Sequence, residues 1–358
     1  MSFESRRHEG TPNLITIGVD VGGTKVLGVA LDDSGAVASQ ARAITPVSHH
    51  ASLDPHAADG VIEAIANVVR ELTEASGCGD LPSLGVGIPG LVDDEGTMHF
   101  APNLPAGVGV DFKGRVGASV GDRRVVVDND ATCATIGEWI LGGAAGATDA
   151  VVVTLGTGIG AGFVSNAALV RGAHGFAGEA GHMVVDPSGP VCSCGRRGCW
   201  ERYASGSGLA RLAREAASAG RLRGVMDLVD GDPESVRGEH VTEAAAAGDP
   251  GALEVMSELG WWIALGLANL TALSDPSVIV IGGGLAAAGD LLLEPTRRAY
   301  ADIAYANDER PVVNIVGAAL GELAGAVGAA LVAREDHRNS TGLSPVHAGS
   351  EASGCESA

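Results

Sequence analysis

An α/β fold of two related lobes is predicted, and three observations carry the prediction. Short apolar runs alternate with stretches that bear a 3.6-residue apolar stripe, the pattern of strands layered with helices. A strand–glycine turn–strand unit occurs twice, around Gly22 and around Gly156, 134 residues apart. The chain has 358 residues, which suits about two domains.

Leu14 opens the first apolar run, residues 14–19, which leads into Asp20-Val21-Gly22-Gly23-Thr24-Lys25. A second run, 26–31, ends at the polar turn Asp32-Asp33-Ser34-Gly35. This reads as strand, glycine turn, strand, polar turn, strand. Residues 57–72 place Val61, Ile62, Ile65, Val68, Val69 and Leu72 on one helical face. Residues 84–88 form a strand ending at Pro89-Gly90, and residues 124–127 another, ending at Asp128-Asn129-Asp130. A helix follows over 131–141. Residues 151–164 repeat the first hairpin through Leu155-Gly156-Thr157-Gly158-Ile159-Gly160 and turn at Ser165-Asn166. The charged, glycine-bearing stretch 220–237 reads as a surface loop or short helix. Residues 255–273 form a long apolar helix, whose Trp261 and Trp262 suit core packing first and a subunit interface second. A strand over 278–281 ends in Gly282-Gly283-Gly284, and 320–333 is the last helix. The polar stretch 335–358 has a disordered composition.

The net charge is −21. Such a surface is a poor partner for nucleic acid, where affinity comes from basic groups that neutralise phosphates, and for an anionic membrane. A nucleotide remains accessible through backbone N–H groups, a few cations and a metal ion. No run reaches the ~18 apolar residues of a membrane span, and residues 1–13 lack the apolar core of a signal peptide, so a cytoplasmic location is expected. Aromatic residues are only 3%, so the core must be built from Val, Leu, Ile and Ala. Glycine is 54 of 358 residues, about twice the usual ~7%.

Of the six cysteines, Cys78, Cys133 and Cys355 are scattered, so no disulfide framework is present. His182, Cys192, Cys194 and Cys199 fall within eighteen residues. Three thiolates and an imidazole suit a four-coordinate structural zinc, with Gly189, Gly195 and Gly198 supplying tight turns. The alternative is three reduced thiols beside a loop histidine. Each of the glycine turns at Gly22-Gly23, at 156–160 and at 282–284 follows an apolar run. Singly each is an ordinary turn; together they point to phosphate-binding nests. Thr24 stands where a P-loop needs Lys, and Ala161 where a dinucleotide fingerprint prefers its third Gly. Asp20 could hold Mg²⁺ through water or simply form its turn. Asp130 sits at a strand-to-helix junction, where it reads both as a helix N-cap and as a general base. The helix terminus there should lower its pKa. Asn103, within Pro102-Asn103-Leu104-Pro105, suits a hydrogen-bonding arm or plain turn chemistry. Glu179, His182 and Glu201 add groups that match vicinal sugar hydroxyls, although both glutamates could be solvated surface acids.

These motifs resemble the ROK family (repressors, open reading frames, sugar kinases) of the actin-like ATPase superfamily, over residues 15–332. The most specific part is Glu179-Ala180-Gly181-His182 followed by Cys192-Ser193-Cys194-Gly195-Arg196-Arg197-Gly198-Cys199-Trp200-Glu201. The resemblance implies a two-lobed actin-like ATPase, ribonuclease H-like fold. Its small lobe would span 14–129 plus about 318–333. Its large lobe would span 130–317 with the zinc knuckle, between tails 1–13 and 334–358. It also implies a hexose kinase using ATP with Mg²⁺. Asp20, Gly22, Gly23, Thr24, Lys25, Gly156, Thr157, Gly158, Gly160, Gly282, Gly283 and Gly284 would face the nucleotide. Asp130 would be the base, and Asn103, Asn129, Asp130, Glu179, His182 and Glu201 would hold the sugar. Structural Zn²⁺ would sit on His182, Cys192, Cys194 and Cys199. Residues 198–206 resemble the family's glucose-phosphorylating branch. N-acetylmannosamine, N-acetylglucosamine and fructose are the alternatives, polyphosphate is an alternative donor, and a non-catalytic sugar-binding regulator stands further behind. A winged-helix repressor needs more chain ahead of Leu14. A homodimer or homotetramer is expected.

Overall fold

The computed structural model describes residues 15–46, 56–77 and 83–341. Leu14, Cys78, Cys355 and the terminal segments 1–13 and 342–358 lie outside the described residues. The first half holds β1 (Thr16–Val21), β2 (Lys25–Leu31), β3 (Val37–Ile44), α1 (Asp59–Ser76), β4 (Leu84–Ile88), β5 (Leu91–Val92), β6 (Met98–Phe100), α2 (Phe112–Ser119), β7 (Val125–Asn129) and α3 (Asp130–Leu141). The second holds β8 (Ala150–Leu155), β9 (Ile159–Ser165), β10 (Ala168–Leu169), α4 (Glu201–Ala204), α5 (Gly206–Ser218), α6 (Arg223–Met226), α7 (Gly238–Ala246), α8 (Pro250–Ser274), β11 (Val278–Gly282), α9 (Asp290–Ile303), β12 (Asn314–Gly317) and α10 (Ala324–Thr341).

The predicted duplication is present in the strand order. One sheet runs β3-β2-β1-β4-β7 and the other β10-β9-β8-β11-β12. In each, three antiparallel strands lead into parallel neighbours. The central strands are apolar because both faces are covered. α1 lays Ile65, Val68 and Leu72 on one face of the first sheet, with all three buried. Gly28 makes this approach possible, since a Cβ there would collide with Val68.

The other face carries α10. A Cβ at Gly18 would overlap the carbonyl oxygen of Ala326, and one at Gly85 that of Ala329. α10 also meets α3 backbone to backbone, through Gly328 against the Cys133 carbonyl and Gly137 against the Ala324 carbonyl. Close approach of two backbones needs residues without a Cβ. Glu138, 1% exposed, accepts N–H bonds from Gly143 at 2.7 Å, Ala319 at 3.0 Å and Leu320 at 2.8 Å. One buried carboxylate thus joins the chain leaving α3 to the chain entering α10.

Three expectations are corrected. Residues 335–341 continue α10 where composition suggested disorder. The buried Arg334 guanidinium donates to the Asp32 carbonyl at 2.6 Å, and Arg124 donates to Asp336 at 2.7 Å, so tertiary bonds hold a polar helical end. Residues 220–237 include the expected short helix, but they do not lie only on the surface. They contain α6, and Val225, Val229 and Val236 are buried in the second core. Trp261 is 40% exposed rather than core, whereas Trp262 stacks on Tyr203 with ring centroids 4.1 Å apart.

Candidate active site

A cavity of about 500 Å³ opens between the two sheets. β7 delivers Asn129 and α3 begins at Asp130, so the strand-to-helix junction supplies two cavity-lining side chains in succession. The N-cap is Asn129 rather than Asp130: Asn129 Oδ1 accepts the Thr132 N–H at 3.0 Å. Its Nδ2 donates to the Gly90 carbonyl at 3.0 Å, which holds the amide rigidly. Asp130 is the first residue of the helix and accepts the Ala131 N–H at 2.8 Å. Its pKa shift runs opposite to expectation. Burial pushes the Asp130 carboxyl above the usual carboxylate range, and the Ala131 N–H and the Asn129 side chain only partly offset this. Desolvation of the charged form outweighs the favourable helix terminus here.

Asn103, Glu179, His182 and Glu201 line the same cavity. Burial raises the Glu179 carboxyl, His182 opposes the shift, and the charges of Asp130 and Glu201 add to it. Glu201 approaches because Gly158 lacks a Cβ that would strike its carboxylate. Gly160 likewise leaves room for Ala131, next to Asp130.

The predicted nucleotide residues divide. Gly23, Thr24, Gly156, Thr157, Gly158, Gly160 and Gly283 line the cavity. A Cβ at Gly23 or Gly156 would meet nothing within 4 Å, so both face open space. Asp20, Gly22, Lys25, Gly282 and Gly284 are not in the wall. Gly22 spends its N–H on the Lys25 carbonyl at 2.9 Å, closing the β1–β2 turn. Lys25 pairs with Glu322, which also holds Arg42. Asp20 lies just behind the wall, where Gly325 and Gly87 make room for its carboxylate. Burial first, then the charge of Asp130, pushes its pKa to about 7, with Lys25 opposing. Two buried carboxylates that repel one another make an oxygen-rich environment suited to a hard divalent cation.

The four zinc candidates converge, their ligand atoms all lying within 4.8 Å of one another. Cys194 Sγ and Cys199 Sγ are 3.6 Å apart, and Cys192 Sγ lies 3.7 Å from His182 Nδ1. Tetrahedral zinc with Zn–S of about 2.3 Å spaces its ligands by about 3.6–3.8 Å, so the donor set fits. Cys192 Sγ also donates to Glu201 Oε1 at 2.9 Å. The knuckle therefore abuts the cavity through His182 and Glu201.

Sequence reasoning missed Pro89, Gly90, Leu91 and Phe100 in the wall. Pro89-Gly90 directly after an apolar strand was the available signal. It also assigned no role to Asp128, whose carboxylate pairs with Arg171.

A family model described as the ROK family matches residues 16–336. A glucokinase of Streptomyces coelicolor is 40% identical over 90% of this chain and 98% of its own length. The crystal structure of a ROK family glucokinase from Streptomyces griseus, in complex with glucose and AMPPNP, superposes with a TM-score of 0.80. It is 38% identical and covers 90% of this chain and 99% of that one. The ROK hexokinase of Thermus thermophilus gives a TM-score of 0.70 at 30% identity, over 91% and 99% of the two chains. With two topologically matched sheets flanking the cleft, the architecture is the two-lobed actin-like ATPase fold, and the chain belongs to the ROK family.

Proposed function

We propose that the chain transfers the γ-phosphoryl group of ATP to the 6-hydroxyl of a hexose, with glucose as the preferred acceptor. One observation carries the reading: Asp130, held at the start of α3, faces a cavity that also contains both glycine hairpins and the acidic wall of Glu179 and Glu201. The likeness to the glucose- and AMPPNP-bound glucokinase supports it.

Asp130 accepts the proton of the sugar O6, and its raised pKa makes it a stronger base than an exposed aspartate. O6 attacks the γ-phosphorus in line, the new O6–P bond forms, the bond to the bridging oxygen breaks, and ADP departs. Asn103, Asn129, Glu179, His182 and Glu201 hold the remaining hydroxyls, so positioning supplies much of the rate. Gly23, Thr24 and 156–160 offer backbone to the phosphates. Mg²⁺, held through water by Asp20, would neutralise phosphate charge. Zn²⁺ on His182, Cys192, Cys194 and Cys199 would fix the loop that leads into Glu201 at the start of α4. The lobes 14–129 plus about 318–333 and 130–317 would close on the substrates and exclude water.

An assay of ADP release against glucose, fructose, mannose, N-acetylglucosamine and N-acetylmannosamine, with polyphosphate as a second donor, tests the reading. Glucose with ATP should give the highest kcat/KM. An N-acetylhexosamine or polyphosphate in that place would overturn the acceptor or the donor assignment, and no turnover with any hexose would overturn the whole. Among the described residues no helix is long and apolar enough to cross a membrane. A cytoplasmic location and a homodimer or homotetramer complete the proposal, the latter resting on the partly exposed Trp261.

A further inference from the structure

Arg171 follows β10 of the second sheet, yet its guanidinium bonds the carboxylate of Asp128 on β7 of the first. Asp128 is nearly enclosed, its side chain 11% exposed against 40% for Arg171. The other oxygen of that carboxylate, Oδ1, accepts the Asn129 N–H at 2.9 Å. A single carboxylate therefore connects Arg171 to the backbone one residue before Asp130. Burial pushes the Asp128 carboxyl upward, and the Arg171 charge is the largest influence drawing it back. The segment that carries Arg171 touches the first half of the molecule at two further places. Gly175, at φ +79°, packs where a Cβ would stand 3.1 Å from the Val92 carbonyl oxygen. The Phe176 ring lies 5.7 Å from that of His99, which itself bonds Asp93 at 2.6 Å. The segment then runs directly into Gly178 and Glu179 in the cavity wall.

We propose that Arg171 is a positioning residue for phosphoryl transfer: its ion pair with Asp128 locks the Asn129–Asp130 junction in register with the wall that carries Glu179. The base and the sugar-holding carboxylate come from opposite sheets, so something must fix one against the other across the cleft. Arg171 is one such bridge: it pairs with Asp128, two residues before Asp130, and lies eight residues before Glu179 on the same segment. Removing it leaves a buried carboxylate without its counter-charge, which strongly favours local rearrangement. The strand end that moves is the one whose Asn129 amide and Asp130 carboxylate must meet the substrate. The inference rests on the hexose-kinase reading.

The test compares wild type with Arg171→Ala, Arg171→Lys, Asp128→Asn and the double variant Arg171→Ala/Asp128→Asn. It reads kcat, KM for glucose, KM for ATP and Tm. Because misplacement by about 1 Å costs about 10²-fold, Arg171→Ala should lower kcat/KM for glucose by about tenfold or more, with KM for ATP within about twofold of wild type. Arg171→Lys should recover most of the loss. The double variant should be no worse than the poorer single one, since partners in one interaction are not additive. Arg171→Ala with wild-type kinetics overturns the inference and leaves the kinase reading standing. A rise in KM for ATP as large as that in KM for glucose together with a fallen Tm, no recovery by Lys, or additive losses overturn it as well. A wild type inactive on every hexose overturns both readings together.

Discussion

Asp130 combines two properties that oppose each other: a helix N-terminus that favours its charge and burial that disfavours it, with burial the larger. On the proposed mechanism, replacing it by Asn removes the base, and kcat should fall by about 10²–10⁴-fold, the usual contribution of general base catalysis. The fold should survive, because Asn129, not Asp130, caps α3; circular dichroism and a melting curve check this. Asp20 gives a prediction with a definite sign. Its folded pKa, about 7, lies above the ordinary 3.8, so the native state holds a proton that the unfolded chain has released between those values. Stability from this group is therefore present below about pH 4 and is lost as pH rises to about 7. In metal-free protein, Tm of Asp20→Asn relative to wild type should climb across that window; a pH-independent difference would refute the assignment. The sequence pointed to Asp130 and to the cysteine cluster, and the structure puts Asp130 in the cavity wall and brings the four ligand atoms within 4.8 Å of one another. The sequence could not show that Lys25 is engaged by Glu322, almost 300 residues away. Nor could it show that Gly158 makes room for the Glu201 carboxylate and Gly160 for Ala131 beside Asp130.

Elements with strong periodicity were legible: α1, α8 and the central strands lie where the apolar pattern puts them, within a few residues. α5 and α9 were missed. α5 begins Gly206-Ser207-Gly208, which reads as a turn, and α9 carries Pro295 within it. Both are held by packing on the core around α8. The end of α10 was missed because the bonds of Arg334 and Asp336 are long-range. The crossing of α10 over α3 admits no side chain. Gly328→Ala would drive a Cβ into the Cys133 carbonyl, and overpacking of this kind should cost about 1–3 kcal/mol, measurable by denaturant unfolding. The knuckle between β10 and α4 should carry about one zinc per chain in the reduced protein, by elemental analysis. Cys194→Ser should lose the metal and raise KM for glucose, because His182 is both a ligand candidate and part of the cavity wall, and the knuckle leads directly into Glu201 of that wall.

At the scale of the whole molecule, the duplicated strand order was the most legible feature, since two glycine hairpins at a fixed interval announce it. How the halves meet was not legible in full, because contacts such as Glu138 with Leu320 and Arg171 with Asp128 are single side chains with no periodic signature. Trp261 leaves an aromatic edge exposed, and light scattering should return a dimer mass or larger; a monomer mass would remove the interface reading. The matched sheets have one more consequence. A frame whose halves are alike cannot by itself distinguish donor from acceptor. That polarity must come from the parts the halves do not share, among them the β5–β6 hairpin on one side and, on the other, the cysteine-rich loop with the helices α4–α7 that follow it. Exchanging those unshared parts, with every frame strand left in place, is then a route to a new acceptor.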